Sequence, residues 1–393
     1  LLYAFVKILS RLALKLFCRQ VTFSDRALLK SEGPLILACN HPNSFFDAIL
    51  LGSLFERPVH FLARGDAFRK PLVRKFLSAL RMIPIYRLSE GREYLALNDS
   101  TFERCQDVLL QGGILLIFSE GLCKNQWDLR PLKKGTARIA LEAWKNPILA
   151  RNCAVLPVGL NYNSFSGFGK RILVHFGEKI REEDIPATLS MSERILHFNT
   201  LLTAQLQHSV LSAHGNDELA QMLISNHTRI PGSSHTITSL KDIQARISPH
   251  QAEKVVAQLK PPALSPANTA SFAADLAGII LLLLPAAAGW ILHIPCYLLV
   301  KRFVVQKTNG TVFYDSVLFG LLLLTYPLYW MLLNIAGMIW LDHWYVLLFI
   351  PFLAWTTLIW LDCLNRSVNF LRLYSREDGR AFVNVFYSAP SSR

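Results

Sequence analysis

The sequence lacks the signatures of several large enzyme classes. Neither a Gly-x-Ser-x-Gly elbow nor a Gly-x4-Gly-Lys-Ser/Thr loop occurs in its 393 residues, which disfavours a serine hydrolase and a P-loop nucleotide hydrolase. The seven cysteines, Cys18, Cys39, Cys105, Cys123, Cys153, Cys296 and Cys363, are odd in number and form no Cys-x-x-Cys pair. That argues against a disulfide framework or a structural zinc site and fits a reducing compartment. Six of the eleven histidines lie between His197 and His250, none three or four residues from another, so no helical metal pair is available there. No metal and no cofactor is expected. Acidic residues are scarce, 28 against 41 Lys and Arg, for a formal net charge of +13. The surplus suits anionic lipid, a phosphorylated substrate or an acidic carrier protein. Nucleic acid is not expected as a partner, because neither a basic tail nor a recognition motif accompanies the charge.

Charge of either sign is absent from three long runs, Leu276–Val300, Ser316–Leu341 and Trp344–Leu361. With a hydrophobic content of 52%, they predict a membrane region over residues 276–365, behind a linker at 261–275 that begins Pro261-Pro262. Lys307 precedes the second and third runs, Arg366, Arg372 and Arg376 follow them, and the tip between them carries no Lys or Arg. By the positive-inside rule the pair 316–341 and 344–361 is a hairpin with both ends cytoplasmic, and 366–393 is a cytoplasmic tail. The first run, 276–300, is then expected to be re-entrant or kinked near Pro285, with an ordinary kinked span as the alternative. The chain reads as an integral protein of a bacterial cytoplasmic membrane, its soluble part on the cytoplasmic side.

Residues 1–19 are apolar apart from Lys7, Arg11, Lys15 and Arg19, spaced by four. They predict an amphipathic helix in the membrane interface, or else a helix packed on a soluble core. From residue 20 to 180, short apolar runs alternate with helical stretches. Candidate strands are Leu35–Cys39, Val59–Ala63, Ile114–Phe118, Ala154–Leu160 and Ile172–Phe176. Candidate helices are Ser44–Phe55, Phe68–Leu80, Tyr94–Leu110 and Thr136–Trp144. The fold class is α/β, a largely parallel central sheet flanked by helices. Residues 181–260 read as a mostly helical polar extension, with helices over Arg194–Ala213 and up to Leu259.

In such a sheet the working loops gather at the carboxyl ends of strands. One such loop holds Asn40-His41-Pro42-Asn43-Ser44-Phe45-Phe46-Asp47. A His and an Asp on one strand-to-helix connection can share a proton, the minimum for general-base catalysis. The same residues also read as a turn followed by a Ser44–Asp47 capping box. A second loop, Phe118-Ser119-Glu120-Gly121, holds a carboxylate at a tight turn. A third, Arg130-Pro131-Leu132-Lys133-Lys134-Gly135-Thr136, sets cations at a helix start, which is either an anion site or a basic surface loop. Arg87 closes the apolar run Ile83-Pro84-Ile85-Tyr86 and suits a phosphate through its fork. The basic stretch Arg69–Lys75 suits a solvated face, anionic lipid or an acidic carrier. Gly167-x-Gly169 reads as a hairpin.

Taken in order, these blocks together with Val155-Leu156-Pro157-Val158-Gly159 resemble the glycerophospholipid acyltransferase family, which includes glycerol-3-phosphate and 1-acylglycerol-3-phosphate acyltransferases. The resemblance covers residues 20–180. Most members carry four residues between His and Asp; here there are five, Pro42 to Phe46, as in a minor subgroup that includes fungal glycerol-3-phosphate acyltransferases and some bacterial proteins. Ser119 also stands where the family usually has Pro. The resemblance implies that His41 and Asp47 are catalytic and that Arg87, Glu120 and Gly121 bind the glycerol phosphate, joined by Lys133 and Lys134. It implies a membrane enzyme of phospholipid biosynthesis that moves an acyl group from acyl-CoA or acyl-carrier protein to a hydroxyl of glycerol-3-phosphate or 1-acylglycerol-3-phosphate. Another lysophospholipid acceptor, or a non-catalytic lipid-binding or recruitment role, is the alternative. Membrane lipids, an anionic membrane surface and an acyl-carrier protein are the expected partners.

Overall fold

The structure, a computed structural model, describes residues 2–86, 97–212, 266–341, 343 and 346–375. Arg87, the helix expected up to Leu259, the start of the linker and the tail beyond Ser375 lie outside these residues. Two compact units are present, one of Leu1–Lys241 with Gly310–Phe319, the other of Asp242–Asn309 with Gly320–Arg393.

The first unit is built on seven strands: β1 (Cys18–Phe23), β2 (Leu35–Cys39), β3 (Val59–Arg64), β4 (Met82–Ile85), β5 (Ile114–Phe118), β6 (Ala154–Tyr162) and β7 (Lys170–Phe176). They form one sheet in the order β1-β7-β6-β2-β5-β3-β4. Every pairing is parallel except β6 with β7, which the Gly167–Gly169 stretch joins as a hairpin. All five residues of β2 are buried, as an unbroken apolar run demands when both faces of the sheet are covered. Cys39 lies level with both Phe118 and Val158, so the chain leaves β2 and β5 side by side.

Two strands were not predicted, and both are sheet edges. Edge strand β4 accommodates Pro84, whose missing N–H would interrupt a central strand. It is also the Ile83–Ile85 block itself.

Among the described residues seven helices accompany the sheet: α1 (Leu2–Phe17), α2 (Ser44–Leu54), α3 (Pro71–Ala79), α4 (Asn98–Leu110), α5 (Gly135–Ala143), α6 (Pro147–Asn152) and α7 (Met191–Ser209). A core on one face joins Ile36, Ala38, Leu115 and Ile117 to Leu109, Ala140 and Phe198. Helix α7 opens with a capping box, Ser190 with Glu193, and buries Phe198, Leu202 and Leu206 at intervals of four. It is therefore part of the α/β unit, which runs past residue 180. The polar face of α7 dominates its sequence and hides the narrow buried stripe.

Helix α1 divides its cations differently from a simple interfacial stripe. Lys7 Nζ donates to the carbonyls of Glu56 (2.9 Å) and Arg57 (3.2 Å), and Arg11 donates to those of Ser53 and Phe55. Both cations thus meet the carboxyl end of α2, where unpaired carbonyls concentrate negative charge. Leu2, Phe5, Ile8, Leu12 and Leu16 are left exposed at helical spacing. Ser10, Leu14 and Phe17 are buried.

Four helices follow: α8 (Pro266–Leu281), α9 (Leu283–Thr308), α10 (Tyr314–Leu341) and α11 (Val346–Ser375). The spans Leu283–Thr308, Tyr314–Trp340 and Leu347–Val368 are long and apolar enough to cross a membrane. Backbone bonds Leu282 N–H to Gly278 O (3.0 Å) and Ala286 N–H to Leu282 O (2.9 Å) carry the ladder across the α8–α9 junction. Pro285 has no N–H for the Leu281 carbonyl, and the break falls there. Within this second unit α11 lies along the α8–α9 rod. Trp360 donates to Ile279 O (2.9 Å), Thr357 to Ala286 O (3.0 Å), and Arg366 pairs with Asp275.

Gly159 sits where α7 ends against β6, and a Cβ there would overlap the Ser209 carbonyl. Neighbouring Asn161 ties down the same carbonyl through Nδ2 (3.0 Å). Gly159→Ala should therefore cost about 1–3 kcal/mol, seen as a lower thermal unfolding midpoint of the purified protein.

Candidate active site

The loop after β2 is shaped at both ends. Asn40 exchanges two hydrogen bonds with the backbone of Leu160, Nδ2 to the carbonyl (3.1 Å) and Oδ1 from the N–H (2.8 Å), which ties the end of β2 to β6. Four residues later the backbone of Ser44 takes a φ of 49°, a region that residues with a side chain seldom occupy. This turn starts α2 so that Asp47, in its first turn, faces back toward His41. The Asp47 Oδ2 to His41 Nδ1 distance is 2.9 Å. The five-residue gap therefore lets the carboxylate reach the ring.

The expected Ser44–Asp47 capping box does not form. Asn43 is the N-cap residue and makes no side-chain cap. The Asp47 carboxylate accepts the Asn43 N–H (2.8 Å) instead, which preserves the reciprocal half of such a box.

Asp47 is fully buried, and Oδ1 accepts the Tyr162 hydroxyl at 2.6 Å. Burial, reinforced by the Asp47 charge, holds the Tyr162 phenol well above its ordinary pKa, so it remains a proton donor. Surrounded by donors, Asp47 selects the tautomer of His41 that carries its proton on Nδ1. That leaves Nε2 as the free base. The imidazole stacks on Phe118, centroids 3.7 Å apart and planes 10° from parallel. Cys123 accepts the Ser44 N–H, and its thiol is pushed up to about 12, chiefly by burial. It is a protonated strut rather than a nucleophile.

The loop after β5 is bonded to this first loop. Ser119 N–H donates to Cys39 O (2.9 Å), Lys124 N–H to His41 O (3.3 Å) and Asn125 Nδ2 to Pro42 O (2.7 Å). Glu120, 5% exposed, accepts the His41 N–H (3.3 Å) and the Arg130 N–H (3.2 Å). It also accepts Nε and Nη2 of Arg130 at 3.2 and 2.7 Å. Gly121 has a φ of 71°, and a Cβ on it would meet the Lys133 stem at 2.9 Å. Ser119, in the place usually held by Pro, pairs its hydroxyl with Thr136 (2.9 Å), and its carbonyl accepts the Lys133 N–H (2.8 Å). These bonds link the second loop to the third.

The structure thus brings together His41, Asp47, Glu120, Gly121 and Lys133. Lys134 follows as the N-cap of α5, and both lysines are exposed. Arg87 lies outside the described residues. Its neighbour Tyr86 follows β4, at the same carboxyl edge of the parallel strands. Among the described residues no group of three or more His, Cys, Asp or Glu side chains is placed to hold a metal ion. Two contributors were missed as site residues: Arg130 and Tyr162. Arg130 was visible as a cation in the third loop. Tyr162 is 115 residues from its partner and has no local signal.

A histidine oriented by a buried carboxylate, set on a mostly parallel sheet beside a glutamate–arginine pair, is an arrangement that can act as a general base. Residues 20–161 match the family model described as Acyltransferase. Among solved structures, the crystal structure of the 1-acyl-sn-glycerophosphate (LPA) acyltransferase PlsC from Thermotoga maritima is similar at 15% identity, covering 54% of this chain and 80% of that chain, with a TM-score of 0.39. No curated protein matches the chain by sequence.

Tyr162→Phe would leave Asp47 Oδ1 without its donor in a closed site. It should lower stability by about 1–3 kcal/mol, measurable by thermal unfolding against wild type.

Proposed function

We propose that the protein is a membrane-bound glycerolipid O-acyltransferase of phospholipid biosynthesis, acting on glycerol-3-phosphate or 1-acylglycerol-3-phosphate. The observation that carries this reading is the His41–Asp47 contact, with Nε2 left free, inside the segment that matches the acyltransferase family. His41 Nε2 removes the proton of a glycerol hydroxyl as its oxygen attacks the thioester carbonyl. Asp47 holds the ring and offsets the charge of the imidazolium. When the tetrahedral intermediate collapses, the C–S bond breaks and the imidazolium returns the proton to the leaving thiolate. The O-acyl ester and the free thiol are the products, and no covalent enzyme intermediate is needed.

The substrate phosphate would be met by cations. Arg130, held in place by Glu120, is the best-placed member, with Lys133 and Lys134 beside it; Arg87, which follows Tyr86 in the sequence, is a further candidate. In this reading Glu120 and Gly121 shape the phosphate site: the carboxylate is occupied by Arg130, and the turn admits the Lys133 stem. The acyl donor is acyl-CoA or acyl-carrier protein. The exposed apolar stripe of α1, with Leu72, Val73 and Phe76 of α3 amid Arg69, Lys70, Arg74 and Lys75, suits an anionic membrane surface. Lys307 before the apolar hairpin and Arg366, Arg372 and Arg376 after it favour an orientation with the α/β unit on the cytoplasmic side of a bacterial cytoplasmic membrane.

In membranes carrying the full chain, acyl transfer should fall by about 10²–10⁴ in His41→Ala. Unchanged activity would end the acyltransferase reading. Assays crossing glycerol-3-phosphate and 1-acylglycerol-3-phosphate with both donor types should show one preferred pair.

The orientation has its own test. A cysteine introduced as Lys307→Cys should resist a membrane-impermeant thiol reagent in intact cells and react once the cells are opened. Labelling from outside would reverse the assignment.

A further inference from the structure

The loop between His41 and Asp47 is held from outside the segment that matches the family. The first turn of α10 places Asp315 and Ser316, both buried, against it within the same compact unit. Asp315 Oδ2 accepts Asn43 Nδ2 (3.1 Å) and Lys170 Nζ (3.1 Å), and Oδ1 accepts the Gly167 N–H (3.0 Å). Ser316 Oγ accepts the Phe46 N–H (3.0 Å) and donates to the Asn43 carbonyl (3.1 Å). Asn43 and Phe46 are the residues that decide where Asp47 sits. Asn43 gives its own N–H to the Asp47 carboxylate, and Phe46 adjoins Asp47 in the first turn of α2. The Asn43 side chain is anchored by Asp315 through Nδ2, while its Oδ1, buried, finds no partner among the described residues. The longer His–Asp spacing thus coincides with a clamp on the extra length.

Resting on the acyl-transfer reading above, we propose that Asp315 and Ser316 are positioning residues, clamping Asn43 and Phe46 so that the Asp47 carboxylate meets His41 Nδ1. Neither touches the imidazole, so both act through the loop. The competing view is that Lys170 and Asp315 form a buried ion pair that serves the fold alone. The two views part on variants that remove the clamp without leaving a buried charge unpaired. Ser316→Ala involves no charge. Lys170→Met with Asp315→Leu replaces both members of the pair by apolar groups, a change that buried pairs often tolerate.

The test is steady-state acyl transfer by the full-length protein, with the unfolding midpoint of each variant recorded alongside. In Ser316→Ala, kcat should fall about 10- to 100-fold, the scale of a small misplacement of a catalytic group. KM for acceptor and donor should stay within about twofold, because the clamp touches neither substrate. Ser316→Thr, which keeps the hydroxyl, should recover most of the loss. The folded Lys170→Met/Asp315→Leu double variant should remain slow. Wild-type kcat in either Ser316→Ala or the double variant, a change confined to KM, or a loss that threonine does not repair would each overturn the positioning role. His41→Ala is run in parallel. If it retains activity, the acyl-transfer reading itself fails; if it is inactive while the clamp variants run at full rate, only the clamp fails.

Discussion

The site depends on one buried carboxylate. Asp47 is closed off from water, and removing an ionised carboxylate from water costs several kcal/mol unless donors replace its hydration. Three do so here: the His41 ring, the Asn43 backbone and the Tyr162 hydroxyl. Each comes from a different part of the fold, the end of β2, the turn before α2 and the end of β6. The positive φ at Ser44 is the local consequence, because a relaxed turn would not aim Asp47 back across the loop. The same arrangement fixes the chemistry. A carboxylate enclosed by donors keeps the histidine proton on Nδ1 and leaves the opposite nitrogen as a base.

A second buried carboxylate organises the other wall. Glu120 faces both the His41 backbone and the Arg130 guanidinium, so the first and third loops are coupled through the second. Its negative charge is matched by Arg130 within the protein. The glycine at 121 belongs to the same arrangement: the absence of a side chain there leaves room for the Lys133 stem, which a Cβ would meet at 2.9 Å.

Much of this was legible in the sequence because it is local. Apolar runs as continuous as Leu35–Cys39 and Ile114–Phe118 read directly as buried parallel strands, and motifs at their carboxyl ends marked the working edge. The edge strands β1 and β4 escaped because both are only partly buried: β1 carries polar residues among its apolar ones, and β4 spans just four residues. Ser44 looked like a helix cap because its residue type and spacing were right, yet Asp47 was already engaged by the ring and the turn. The stripe Lys7–Arg11 looked like a lipid face because nothing in the sequence announces that α2 ends beside it with free carbonyls. Tyr162 and Asp315 could not be read at all. Their partners lie 115 residues from the one and 272 from the other, and only the folded chain brings them together.

That last separation bears on where the catalytic unit ends. The segment matching the family stops at residue 161, yet the physical unit includes Gly310–Phe319. Lys170 on β7 is fully buried, and an ammonium so placed is tolerated only beside a counter-charge, here Asp315. The aromatic ring of Phe319 packs against Phe17 and Phe46 at 5.1 and 5.3 Å between centroids, closing the apolar floor under the same loop. A ten-residue stretch from late in the chain therefore supplies a charge, a hydroxyl and a ring that the α/β sheet lacks. The helix that begins with these residues continues as a span long enough to cross a bilayer. The buried contacts of Asp315, Ser316 and Phe319 are thus made by the first residues of a long apolar helix, Tyr314–Leu341, that the family match does not reach.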